Sequence, residues 1–401
     1  MSEFDQFFLM KPEDVKRYTV EVLHYFQPDD EISCVEIGDG NINYVFKAWT
    51  EKDGRSVIVK QADKLLRSSG RPLDLYRNKI EARILAMEGE MAPDYIPEVF
   101  YYDETMAALS MEDISAYKNL RKELKENRVY PHLAENLSSF LAASLLPTTD
   151  LVMDRQEKKK LTKFFTNPEL CDITEDLVLT EPYYNYKNRN IVTPGNEAFV
   201  EEFLYGDEKL HAQVGILRDR FMNCAQALIH GDLHSGSIFA NEDGIKIIDP
   251  EFAFYGPMGY DIGNVIGNLF FAWANKAYTM PEAGEVQTAL ERTIRETFDR
   301  TREKLEACYE EKVTFSLYRT EGFKRSYLDG VMADSLGYAG TEIIRRVVGD
   351  AKVMEVTEVT DPAKKIPMER ALIKLGIRLI LDRIRIGSGA ELTEIFRQIL
   401  A

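Results

Sequence analysis

Cysteine is scarce in this chain of 401 residues, and its four copies stand far apart at Cys34, Cys171, Cys224 and Cys308. No CxxC pair occurs, which argues against a zinc site or a disulfide framework and leaves reduced thiols as the expectation. An excess of positive charge is also missing, since 50 Lys and Arg face 67 Asp and Glu for a net charge of -17. Nucleic-acid surfaces need the opposite balance, and so does docking on an anionic membrane, so neither partner is expected. Long apolar runs are absent too. The richest, Val265–Ala274, contains Gly267 and Asn268 and is too short to span a bilayer. The opening MSEFDQFFLM lacks the basic start and apolar stretch of a signal peptide, so the cytoplasm is the expected location.

What is present is enough chain for more than one ordinary core, at 45% hydrophobic and 29% charged residues. Residues 11–28 have helical spacing through Val15, Tyr18, Val22 and Tyr25. Strand patterns follow at Cys34–Ile37, Tyr44–Trp49 and Val57–Lys60, the last two joined across Glu51–Gly54 as a hairpin. A helix over 74–89 and strands over 98–103 and 107–111 complete a sheet-rich part. Helical patterns dominate from about residue 113, interrupted by a strand–loop–strand core at 227–250, and residues 181–196 read as an irregular loop. The expected class is α+β, with a small antiparallel-sheet part over 1–112 and a larger, mainly helical part over 113–401.

Four segments carry chemistry in a meaningful order. Gly38 and Gly40, in the run Ile37–Tyr44, would let backbone amides approach a triphosphate, although Asn43 stands where a third glycine would fall. Lys60 ends the apolar strand Val57–Lys60, and Glu81 on the next helix is placed as its ionic partner; singly, each also fits a solvated surface. An apolar run then leads into His230-Gly231-Asp232, which puts Asp232 on a tight loop suited to accept a proton from an attacking hydroxyl. Asp249 follows seventeen residues later in Asp249-Pro250-Glu251, where residues two apart in an extended segment would aim both carboxylates at one Mg2+. Together these are the parts of an ATP-dependent kinase with a bilobal, protein-kinase-like fold.

Gly231 replaces the arginine that protein kinases use to grip a phosphorylated loop, and only eleven residues separate Asp249 from Asp261. A metabolite kinase is therefore expected rather than a regulated protein kinase. His230 and His234 do not make a metal pair, because a loop does not align HxxxH on one face; His230 reads as structural and His234 stays open.

The segments HGDLHSGSIF at 230–239 and DPEFAFYGPMGYDIGN at 249–264 resemble the methylthioribose kinases, a methionine-salvage family related to choline kinase and the aminoglycoside phosphotransferases. The resemblance extends to GDGNINYVF at 38–46, IVKQA at 58–62, MEDIS at 111–115, TNPELCDITED at 166–176 and EIIRR at 342–346. It implies a homodimer that transfers the ATP γ-phosphate to the anomeric hydroxyl of 5-methylthioribose. Asp232 would be the base, Asp249 and Glu251 the Mg2+ ligands, and Lys60 a phosphate contact beneath Gly38, Gly40, Asn41 and Asn43. Glu112 and Ile114 would offer backbone groups to adenine, and Arg345 and Arg346 would line the sugar pocket with Asp232. By residue pattern alone that arginine pair reads as a solvated face, because helix neighbours diverge by about 100°.

Two departures from the related kinases are visible. Ser237 stands five positions after Asp232, where those enzymes carry a metal-binding asparagine; this is the family's own pattern, and Glu251 would supply the ligand. Where the family carries WPLTLDR, this chain has Arg71-Pro72-Leu73-Asp74-Leu75-Tyr76-Arg77. A kinase of another small sugar or an amino alcohol, and a nucleotide-binding protein without turnover, are the alternatives to a methylthioribose kinase.

Overall fold

The computed structural model describes residues 2–37, 43–65 and 72–401, so Gly38, Gly40, Asn41 and Arg71 lie outside the described residues. The chain forms two compact units: Met1–Tyr117 with Lys246–Phe252, and Lys118–Ile245 with Ala253–Ala401.

The first unit is built on an antiparallel sheet of five strands. They are β1 (Ile32–Glu36), β2 (Asn43–Thr50), β3 (Ser56–Ala62), β4 (Val99–Asp103) and β5 (Ala108–Glu112), in the order β1-β2-β3-β5-β4. β3 is central and is buried from Val57 through Ala62, which is why it opens on the consecutive apolar residues Val57, Ile58 and Val59 rather than an alternating pattern, and Lys60 and Gln61 are buried with them. The β2–β3 hairpin turns where expected: Thr50 donates its hydroxyl to Asp53, and Gly54 takes a φ of +70° that favours glycine. Phe46, Ala48, Val57, Val59 and Ala108 from the sheet close a core with Val15 and Tyr18 of helix α1 (Pro12–Glu21).

That first helix is shorter than the expected 11–28. The chain turns back at His24, with φ +51°, and the following Phe26 is delivered into the core at 1% exposure. Helix α2 (Tyr76–Met91) carries Ile80, Ile84 and Leu85 as buried residues, close to the expected span.

The second unit is mainly helical. Its helices α3 (Gly259–Thr279) and α4 (Glu321–Val348) pack so closely that a Cβ at Gly263 would meet the Ser335 carbonyl at 2.5 Å. Gly259 and Gly267 lie one turn away on either side, and this small-residue stripe lets the backbones approach. Two short strands, Ala227–Ile229 and Ile238–Ala240, flank the loop that carries Asp232. The 181–196 segment opens with one helical turn, Glu181–Tyr184, and is then strapped down: the amides of Lys187 and Arg189 donate to Glu181, and that of Ile191 to the Val348 carbonyl at 2.8 Å. The observed fold thus has the expected α+β class, an antiparallel-sheet N-terminal part followed by a helical remainder. Among the described residues the four cysteines are free, and no helix is long and apolar enough to cross a membrane.

Candidate active site

In the first unit, Lys60 and Glu81 are neither of them solvated. Lys60 is 4% exposed and Glu81 0%, and they meet at 2.7 Å between Nζ and Oε1. Lys60 also bonds Asp249. Burial works against the lysine's charge, but Asp249, Glu81 and Glu251 around it outweigh burial and raise its pKa. Glu81 shares its cation with Asp249 and has no access to water, and burial pushes it up to about 7.

Glu251 is held differently, by Arg77 at 3.3 Å and by the Asn43 amide at 3.5 Å. Arg77 is itself 3% exposed and donates to Asn43 Oδ1 at 2.9 Å and to the carbonyls of Asp63 and Asp74. Arg77 therefore ties the start of β2, the end of β3 and the segment before α2 to Glu251. Sequence reasoning missed it, although it is the arginine that closes the Arg71–Arg77 stretch.

The extended geometry expected for Asp249-Pro250-Glu251 is not found. Asp249 has a φ of +65°, in the left-handed region, so the two-residue alternation cannot be what aims its carboxylate. The pair is gathered by Lys60 and Arg77 instead. Glu112 ends β5, where its amide donates to Glu98, and the Ile114 carbonyl accepts from Tyr117 at 2.8 Å. Those two backbone groups are spent within the protein.

In the second unit, Asp232 sits on a loop whose shape is set from α3. Buried Asp261 takes the amide of His230 at 2.7 Å and that of Gly231 at 3.0 Å. Gly231 has a φ of +81°, so its identity answers a backbone requirement here. His230 accepts the Asp232 amide through Nδ1 at 3.3 Å, which bears out its structural reading. His234 Nδ1 accepts the amides of Gly236 and Ser237, both at 3.1 Å, so the ring proton belongs on Nε2, which lies 3.5 Å from Asp232 Oδ2. Burial drives His234 down to about 4, leaving it neutral at neutral pH.

The arginine pair overturns the solvated-face reading. Nη2 of Arg345 lies 3.7 Å from Asp232 Oδ1, and Nη2 of Arg346 lies 3.9 Å from the same oxygen. Burial resists ionisation of Asp232, but His234, Arg346, Arg345 and His230 more than offset it and hold the carboxyl down at about 2. Its side chain keeps 27% of its exposure, enough for a small molecule to reach an ionised base. Glu342 grips both arginines, at 2.5 Å to Arg345 Nε and 2.9 Å to Arg346 Nε. Its positions three and four residues ahead of them were a legible helix-pair signal.

The phosphotransferase enzyme family matches this chain over residues 33–304. A methylthioribose kinase of Geobacillus sp. (strain WCH70) is 38% identical over 378 residues, covering 94% of this chain and 92% of the relative. A methylthioribose kinase of Yersinia enterocolitica is 38% identical over 380 residues, covering 92% of each. Among solved structures, a choline kinase of Cryptosporidium parvum aligns with a TM-score of 0.47 at 13% identity, over 91% of this chain and 96% of the other. Through residues 33–304 and through identity that runs along nearly its whole length, the chain belongs to the phosphotransferase enzyme family and, within it, to the methylthioribose kinases.

Proposed function

We propose that this protein transfers the γ-phosphoryl group of ATP to the anomeric hydroxyl of 5-methylthioribose, in methionine salvage. The observation that carries the reading is the ionised, partly exposed Asp232 with two guanidinium groups about its carboxylate. Asp232 accepts the hydroxyl proton as the acceptor oxygen attacks, a role worth about 10²–10⁴-fold in rate. The arginines hold the neighbouring sugar oxygens by charge-assisted hydrogen bonds.

The same arginines argue against an amino alcohol as acceptor, since guanidinium N–H groups only donate and an ammonium group offers them no acceptor. A neutral, hydroxyl-rich acceptor fits. The relatives named methylthioribose kinase, at 34–38% identity, support this particular sugar.

In the first unit, Lys60 would contact the ATP phosphates beneath Gly38, Gly40, Asn41 and Asn43. Glu112 and Ile114 would present their remaining backbone groups to adenine. Asp249 and Glu251 would hold Mg2+, whose contribution is to screen the charge of the transferring phosphoryl group. The donor set fits that ion: two carboxylates supply hard oxygens, and they lie in a cluster where three carboxylates face the two cations Lys60 and Arg77. A homodimer acting in the cytoplasm completes the reading.

The test is ADP release measured over 5-methylthioribose, other pentoses and amino alcohols, with wild type and Asp232→Asn. Turnover confined to 5-methylthioribose and lost in the variant is the expected result. Turnover with an amino alcohol alone, or nucleotide binding without turnover on any acceptor, would overturn it.

A further inference from the structure

Arg345 and Arg346 are successive residues of α4, so their side chains leave the helix about 100° apart. Both nevertheless bring Nη2 to within 3.9 Å of one oxygen of Asp232. Glu342 supplies the reason. It is 0% exposed, and it takes the Nε edge of each guanidinium on a different oxygen, Arg345 on Oε2 and Arg346 on Oε1. Held by that edge, each planar group turns its outer corner the same way. The surrounding arginines outweigh the burial of Glu342 and keep it ionised.

A second contact steadies this bracket from α3. Asn268 donates to Glu342 Oε1 at 3.1 Å, while its Oδ1 accepts from the Ser235 amide at 3.3 Å and from Arg121 at 3.0 Å. Ser235 belongs to the loop of Asp232, so one buried amide links the arginine bracket to that loop.

The charges balance as well. Asp232, Glu342 and Glu355 stand against Arg345, Arg346 and Arg121, whereas without Glu342 three guanidinium groups would face two carboxylates. Resting on the reading of this place as the acceptor pocket, we propose that Glu342 is a positioning residue with two effects. It bends two neighbouring arginines onto one point, and by cancelling one of their charges it makes the pocket take a neutral hydroxyl compound and refuse an anion, such as an already phosphorylated sugar. The same cancellation helps the phosphorylated product to leave.

The experiment uses Glu342→Gln, which keeps the shape and removes the charge, and titrates inorganic phosphate by calorimetry into the variant and wild type. The variant is expected to bind phosphate about tenfold more tightly or better, with KM for 5-methylthioribose raised more than kcat is lowered. A merely structural role predicts no gain in anion affinity, so a folded Glu342→Gln with unchanged phosphate binding overturns the proposal. Should that variant not fold, Glu342→Asp keeps the charge but is too short to bracket both arginines. It is expected to raise the sugar KM about tenfold with phosphate affinity as in wild type, and an unchanged KM overturns the proposal. Phosphate binding needs no sugar turnover. A gain in Glu342→Gln beside a wild type inert toward 5-methylthioribose would therefore sink the acceptor assignment and leave the role of Glu342 standing.

Discussion

The two units each bury a cluster of charged side chains, and the clusters differ in balance. In the first, Lys60 and Arg77 face Glu81, Asp249 and Glu251, two cations against three carboxylates. In the second, Arg345, Arg346 and Arg121 stand against Asp232, Glu342 and Glu355, three against three. The surplus of negative charge in the first is partly relieved by Glu81, whose carboxyl burial pushes up to about 7. Such a cluster gains by receiving a dication. The second has nothing to neutralise, and it leaves an ionised base beside donors suited to an uncharged hydroxyl compound. On the proposed assignment, net balance, more than the number of charged residues, would distinguish the place for Mg·ATP from the place for a sugar.

The largest effects should come from removing one carboxylate in each cluster. Glu251→Gln is expected to abolish turnover by weakening Mg2+ binding, and added Mg2+ should recover part of it. Asp232→Asn is expected to lower kcat by about 10²–10⁴-fold while ATP affinity, read by calorimetry, stays within about twofold of wild type. Loss of ATP affinity in Asp232→Asn would break the division between the clusters. Lys60→Met tests the first cluster through stability. It leaves Glu81 and Asp249 without their lysine, and a buried partner stripped in this way costs about 3–5 kcal/mol, measured by urea unfolding. Lys60→Met combined with Glu81→Leu should regain much of that loss, because both buried charges are then gone.

How much of this could be read in advance differs between the clusters. In the first, Lys60, Glu81, Asp249 and Glu251 were each legible from a strand, a helix and a loop in the right order. The geometry was not, because the left-handed Asp249 breaks the extended pattern and Arg77 replaces it as the organiser. Long-range pairings of that kind leave no local period to find. In the second, the loop and its aspartate were plain, and the arginine pair was quoted only through family resemblance. Its convergence was hidden, since helix geometry alone separates neighbours. The bracket three and four residues upstream is what reverses that expectation, and Asn268, which supports it, sat unread inside the apolar run 265–274. Class and the positions of the strands along the chain followed from hydrophobic periodicity, whereas the early end of α1 at Glu21 depended on where Phe26 packs.

pH should pull the two clusters in opposite directions. His234 falls from 6.5 to about 4, Asp232 from 3.8 to about 2 and Glu342 from 4.5 to about 2. All three bind fewer protons folded than unfolded. Their contribution is complete above about pH 6.5 and is lost as pH falls, first through the histidine and then through the carboxylates. The histidine part has an upper bound of roughly 3 kcal/mol. Glu81 has the other sign: raised from 4.5 to about 7, it binds more protons folded, and its contribution is lost as pH rises through 7. Hydrogen exchange should therefore show the 230–237 loop better protected at pH 8 than at pH 5, and α2 around Glu81 less so. Parallel trends in both places would mean that the clusters are not electrostatically distinct. His234→Asn should flatten the loop's trend between pH 4 and 6.5.

The smallest effect is expected from Ser237→Ala, and it sharpens the division of labour the most finely. Related kinases carry a metal-binding asparagine at this place, so a metal role for Ser237 would make its loss as severe as that of Glu251. Its hydroxyl instead lies 3.2 Å from the Asp232 carbonyl and 3.2 Å from His234 Nδ1, both within its own loop. The alanine removes one such hydrogen bond, about 1 kcal/mol, while the Ser237 amide still donates to His234. Turnover should fall by less than about tenfold, with the Mg2+ concentration for half-maximal rate unchanged. A shift in that Mg2+ requirement would move Ser237 out of the acceptor cluster and into the metal site.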